Sequence, residues 1–193
     1  MSEISSSAET ASLATKIAYY GEFVVYPVLI AILAAWALQG ASLSDFGIFV
    51  VAFAGGLGVW TFVEYLLHRY ILHHFPGIKE KHEAHHDQQR ALIPTPLWQS
   101  LGLFAVLSYL PLTFLVDPLV NAALTGGLML GYLWFEAIHH ILHHWTIDNG
   151  RFFFRLKRRH MLHHNFDDKG NFGVVTGFWD IVFQTDVKIP KRR

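Results

Sequence analysis

Four stretches of the chain are almost continuously apolar: residues 17–39, 46–67, 97–116 and 119–138. Each is close to the roughly 20 residues that a helix needs to cross a hydrocarbon core about 30 Å thick. The links at 40–45 and 117–118 are short, and the second is an Asp-Pro pair, so the stretches pair as two antiparallel hairpins. The pattern predicts an all-α integral membrane protein with about four transmembrane helices. Residues 1–16 are rich in Ser, Ala and Thr and lack the basic start and cleavage site of a secretory signal. They are expected to form a flexible polar tail ahead of a single membrane-embedded domain over residues 17–193.

Composition supports that class. At 193 residues, 52% hydrophobic and 16% charged, the chain is too apolar for an ordinary soluble domain. Its formal net charge is zero, so no basic excess points to nucleic acid. The basic residues instead follow topology. Lys16 precedes the first apolar stretch, Arg69, Lys79, Lys81 and Arg90 lie between the second and third, and all others follow the fourth. By the positive-inside rule both termini and the central loop are expected on the cytoplasmic side. Glu22, Glu64 and Glu136 fall in or at the ends of apolar stretches, where a carboxylate is costly enough to require a reason.

The chemistry is concentrated in histidine. All 13 histidines lie between His68 and His164, and most fall into a twice-repeated arrangement of a spaced pair followed by His-x-x-His-His. The first block is His68, His73, His82, His85 and His86; the second is His139, His143, His160, His163 and His164. A lone histidine near a membrane interface is ordinarily an amphipathic surface residue, but two such blocks are a metal-ligand pattern. Residues three and four apart share a helical face, so each triplet is expected to aim its imidazoles at one point. The chain has no cysteine, which excludes disulfides and Cys-ligated clusters and leaves imidazole and carboxylate as donors.

Ten imidazoles exceed what one ion takes, so two ions with four or five nitrogen ligands each are expected. A histidine-rich pair of metals beside a membrane points to oxygen activation, because breaking an unactivated C–H bond is beyond any side-chain acid or base. Glu64 and Glu136, each one turn before a candidate ligand, are expected to orient imidazoles through hydrogen bonds; Glu83, Asp87, Asp167 and Asp168 are weaker candidates that read equally well as solvated charges. His140 and His144 share a face rotated about 100° from that of His139 and His143, so only one of these pairs can point fully at the centre. Trp60, Tyr65, Tyr132, Trp134 and Phe135 are candidates to line a lipid route, though helix packing explains any one of them as well.

The runs Glu64-Tyr-Leu-Leu-His68-Arg69, His82-Glu-Ala-His85-His86, Gly131-Tyr132 through His143, Leu156-Lys157 through His164, Asn171-Phe-Gly173 and Phe178-Trp179-Asp180 together resemble the fatty acid hydroxylase/sterol desaturase superfamily. They are most similar to its sphingolipid fatty acid 2-hydroxylases. The resemblance implies a di-iron centre under a cap of cytosolic helices, with zinc able to replace iron in purified protein. It assigns the ligands to the ten histidines named above and leaves out His74, His140 and His144. It also implies O2 as co-substrate, a lipid substrate drawn from the bilayer, and hydroxylation of a fatty acyl chain.

The chain departs from the family in two places. Many eukaryotic members carry a fused cytochrome b5 domain, which is missing here, so a separate electron donor such as a ferredoxin or a cytochrome b5-like carrier is implied. Arg159 stands where the 2-hydroxylases tend to have a further histidine; its expected roles are contact with a lipid phosphate or, more simply, interfacial anchoring. Carotenoid or sterol hydroxylation or desaturation on the same scaffold, and a non-catalytic membrane metal-binding role, are the alternatives. A metal transporter or haem protein is disfavoured, because their donors lie deep among the helices.

Overall fold

The computed structural model describes residues 11–147, 152–166 and 168–187, which are entirely free of β-strand. Three helices are long and apolar enough to cross a membrane: α1 (Leu13–Ala37), α2 (Leu43–Leu72) and α5 (Pro118–His144). The remaining apolar stretch forms α4 (Leu97–Thr113), shorter than those three. The polar helices are α3 (Lys79–Asp87) and α6 (Phe152–Asn165), and a short turn of helix, α7 (Phe178–Val182), follows them. Helix α1 starts at Leu13, ahead of the apolar stretch, because the Ser12 side chain accepts the Thr15 N–H and caps it. Helices α2 and α5 run past their apolar stretches and carry histidines in their last turns. Of the expected polar tail, residues 1–10 lie outside the described residues.

By compactness the chain divides into two units, each built from two segments: Met1–Trp60 with Ala91–Leu133, and Thr61–Arg90 with Trp134–Arg193. The first unit is the apolar one. Its helices α2 and α5 pack through glycine: a Cβ on Gly56 would strike the Leu124 backbone, and one on Gly127 would strike the Phe53 carbonyl. Small residues allow this backbone approach, which is how membrane helices gain contact where lipid already satisfies apolar side chains.

Glu22 lies at the core of this unit, 4% exposed. Tyr132 donates its hydroxyl to Oε2 at 2.7 Å and Ser100 donates to Oε1 at 3.0 Å, so both carboxylate oxygens are satisfied. Tyr26, Phe104, Trp60 and Tyr132 meet edge to face or tilted around it, with ring centroids 5.1 to 6.0 Å apart. Trp60 and Tyr132 therefore serve as core packing in this unit. The middle of α4, Ala105–Tyr109, is π-wound, and Asn121 donates to the Tyr109 carbonyl at 3.0 Å, satisfying a backbone group there.

The second unit holds the polar helices. Its apolar core is Ile138, Leu142, Leu156, Val174 and Val175. This core fixes the end of α5 against α6 and against the loop of residues 170–176.

Candidate metal centre

All ten histidines of the two blocks lie in the second unit, and they gather into two clusters of five. One consists of His68, His73, His82, His86 and His163; the other of His85, His139, His143, His160 and His164. Within each, the ligand atoms lie within 4.8 Å of one another. The Nε2 of His82 is 3.1 Å from that of His68, 3.2 Å from that of His73 and 3.1 Å from that of His86. The Nε2 of His143 is 3.1 Å from that of His85, 3.2 Å from that of His139 and 2.7 Å from that of His160. A nitrogen cannot donate to three others at once, so this convergence is not a hydrogen-bond network. Nitrogens about 2.0–2.1 Å from one ion are themselves roughly 3 Å apart, which is the spacing seen. The donor sets fit metal ions.

The clusters do not follow the sequence blocks. Each triplet was expected to converge on one point, and the structure corrects this: His82 and His86 go to one cluster while His85 goes to the other, and His160 and His164 go to one while His163 goes to the other. The reason is helical geometry. Residues four apart share a face, whereas consecutive residues point about 100° apart, so the adjacent pairs His85-His86 and His163-His164 straddle two sites. Each block thus contributes four donors to one cluster and one to the other. His86 and His164 stack across the boundary, with centroids 4.1 Å apart.

The wide spacing of His68 and His73 is accommodated by a change of helix type. In an α-helix, residues five apart point about 140° away from each other. The last turns of α2, Leu67–Leu72, are π-wound, and a π-helix bonds residue i to residue i+5, which brings such residues onto one side. The two rings lie parallel, 5.3 Å apart.

Burial favours the neutral form of the imidazoles that lie beyond the long apolar helices, which leaves their lone pairs free. Desolvation, reinforced by the neighbouring His86, pushes His73 and His85 down to about 4. Burial also lowers His82, His160, His163 and His164, with surrounding histidines adding to the effect. The three remaining histidines stand apart. His74 is exposed, and His140 and His144 stack on each other, 4.3 Å apart, outside both clusters.

Two imidazoles of the first cluster are held from behind. His68 donates its Nδ1–H to the Phe172 carbonyl at 2.6 Å, and His163 donates to the Gly170 carbonyl at 2.8 Å. These bonds set the tautomer that leaves Nε2 as the donor atom. Both carbonyls belong to the 170–176 loop, which is held by two buried carboxylates. Glu64 was expected to contact a histidine; instead its Oε1 accepts the backbone N–H groups of Val174 and Val175. Asp180, fully buried, accepts from the Phe172 N–H at 2.8 Å, the Gly173 N–H at 2.9 Å and the Thr185 hydroxyl at 2.8 Å.

Arg159 completes this arrangement and corrects both roles expected of it. Its guanidinium pairs with Asp180 at 3.1 Å and with Asp186, so it is committed inside the protein. Glu136 is partly buried on α5. Glu83 pairs with Lys79 on the exposed face of α3. Asp168 exerts a charge on His73 and His86, and Asp167 lies outside the described residues. Of the aromatic candidates, Phe135 stacks on His139, Tyr65 is buried against Phe172 and Phe183, and Trp134 is exposed. Asp180 and the carbonyls of Gly170 and Phe172 were not anticipated as parts of the site. Their only sequence signal was the pair of motifs Asn171-Phe-Gly173 and Trp179-Asp180, because a backbone carbonyl has no side-chain signature.

Comparison with known proteins gives this geometry a context. Fatty acid 2-hydroxylase of Mus musculus is 30% identical over 151 residues, covering 72% of this chain and 40% of its own. Dihydroceramide fatty acyl 2-hydroxylase FAH1 of Arabidopsis thaliana is 31% identical over 192 residues, covering 86% of this chain and 73% of its own. The chain thus spans about 40% of the length of the mammalian relatives it matches. A solved structure of full-length scs7p, with only the hydroxylase domain visible, superposes with a TM-score of 0.72 at 27% identity, covering 88% of this chain and 67% of that one. The Fatty acid hydroxylase family model matches residues 53–185, a span that contains every clustered histidine, the loop that braces two of them and Asp180, and the chain belongs to that family.

Proposed function

We propose that this protein is a membrane-bound hydroxylase of fatty acyl chains, using two iron ions, O2 and electrons from a separate donor. The observation that carries the reading is the convergence of ten imidazoles into two five-nitrogen clusters in a member of this family. The curated relatives named above are fatty acid and ceramide fatty acyl 2-hydroxylases, which favours an acyl lipid over a carotenoid or a sterol. Bound by these nitrogens, a redox-active metal pair would supply the activation of O2 and the removal of hydrogen from an unactivated carbon.

The protein's own residues do the rest. Burial favours the neutral form of His73 and His85, which leaves each a lone pair free to bind an ion. The π-wound end of α2 aligns His68 with His73, and the 170–176 loop fixes His68 and His163 by their Nδ1–H groups. The ligands are the ten clustered histidines, with Glu64 acting at one remove through the loop. The topology that fits the basic residues has four crossings, with α4 as the third, and places both termini and the histidines on the cytoplasmic side, where a soluble electron donor can reach them. The acyl chain reaches the site from the bilayer, into which its tail partitions.

The test is metal content of the detergent-purified protein together with lipid mass spectrometry of expressing cells, compared with a His163→Ala variant. Two irons per chain, and an acyl lipid one oxygen heavier that the variant does not make, are expected. Bound metal with no oxidised lipid when a reductant is supplied would rule out the enzyme and leave a metal-binding role.

A further inference from the structure

The two histidine clusters are braced unequally. In the cluster of His68 and His163, both of those imidazoles donate Nδ1–H to carbonyls of the 170–176 loop, at 2.6 and 2.8 Å. In the other cluster, the Nδ1 atoms of His160 and His164 are buried and meet no hydrogen-bond partner among the described residues. An imidazole held through its second nitrogen loses less freedom on binding an ion and is a stronger donor, and loss of such a partner typically costs 10–100-fold in metal affinity.

A backbone carbonyl can hold an imidazole in place only if its own loop is fixed. Asp180 does this: its two oxygens each accept one backbone N–H, Oδ1 from Phe172 and Oδ2 from Gly173, within a carboxylate that is fully buried. The fit leaves no slack, since a Cβ on Gly173 would meet Asp180 Oδ2 at 3.0 Å and collide with the Thr176 carbonyl. Asn171, within the same loop, adopts the left-handed conformation with φ of 57°, and its N–H is bonded to the Thr185 carbonyl at 2.8 Å. The charge that Asp180 buries is balanced by Arg159 at 3.1 Å. We propose that Asp180, neutralised by Arg159, is a positioning residue that makes the His68/His163 cluster the tighter of the two metal sites. This rests on the metal-centre reading above and adds an order of affinity to it.

The test uses the full chain in detergent, stripped of metal and reloaded with Co2+, as wild type, Asp180→Asn and Arg159→Gln. An asparagine keeps the shape but turns one acceptor into a donor that faces a backbone N–H. Cobalt per chain and its visible absorption are read during dialysis against graded chelator. Wild type is expected to release two ions in two steps. Asp180→Asn is expected to weaken the later step by about 10–100-fold while leaving the earlier step and its spectrum unchanged. Arg159→Gln is expected to shift the same step in the same direction by less. Selective loss of one ion separates positioning from general structural support, which would move both.

A single wild-type release step, or equal weakening of both steps in Asp180→Asn, overturns the proposal. Should Asp180→Asn not be recovered folded, Arg159→Gln decides, because it leaves both backbone bonds to the carboxylate intact; unchanged release in that variant overturns the proposal too. A wild type that takes up fewer than two ions sinks the metal-centre reading itself, and that arm distinguishes the two failures.

Discussion

His163 and His164 are neighbours in the chain, yet they belong to different clusters, and the same holds for His85 and His86. An adjacent pair on a helix is thus a bridge between two sites, each residue keeping its own burial and charge environment. That environment has a consequence for pH. Burial lowers His73 and His85 to about 4, below the ordinary histidine value of about 6.5. Between these values the unfolded chain binds more protons than the folded one, so stability falls as pH drops through that window. The thermal midpoint of the metal-stripped protein is expected to be flat above about pH 7 and to decline from about 6.5 to 4. Protons and metal compete for the same lone pairs, so metal retention should decline over the acid range as well. A midpoint that rises on acidification, read by circular dichroism in detergent, would contradict the burial of these rings.

The ends of α2 and α5 serve a different purpose from their middles. The middles are apolar and pack by close backbone approach, with Gly56 and Gly127 each against the other helix. A side chain placed at Gly127 has nowhere to go, because its Cβ would meet the Phe53 carbonyl and both elements are rigid. Gly127→Val is expected to destabilise by about 1–3 kcal/mol, the usual cost of overpacking. This would be seen as a lower unfolding midpoint in detergent, and an unchanged midpoint would show that the helices separate without penalty. The end of α2 departs from α-helical winding where His68 and His73 must share a side. Hydropathy does not reveal that change, since the same apolar residues suit either winding.

The chain as a whole offers a direct test of its proposed membrane topology, because it contains no cysteine. A single introduced cysteine is then a unique label. Gln39, before the first link, and Lys81, on α3, are both exposed. An impermeant thiol reagent added to intact cells is expected to label Gln39→Cys and to spare Lys81→Cys until the membrane is opened. The reverse pattern would place the histidines on the outer side and remove the cytoplasmic electron donor from the proposal.

Periodicity and residue chemistry, which are local properties, were enough to reveal the helical class, the long apolar helices and the two histidine blocks. They also showed that only one of the pairs His139/His143 and His140/His144 could look inward, since their faces lie about 100° apart, while the family resemblance chose the first. The partition of donors between clusters was beyond them. It depends on how α3, α6 and the ends of α2 and α5 are brought together, so that His163 joins the four donors of the first block and His85 joins those of the second. The same holds for Arg159, whose partners Asp180 and Asp186 lie 21 and 27 residues away and whose charge alone suggested a lipid surface. It holds most of all for the carbonyls of Gly170 and Phe172. Every residue has a carbonyl, and only the folded loop determines which of them face an imidazole.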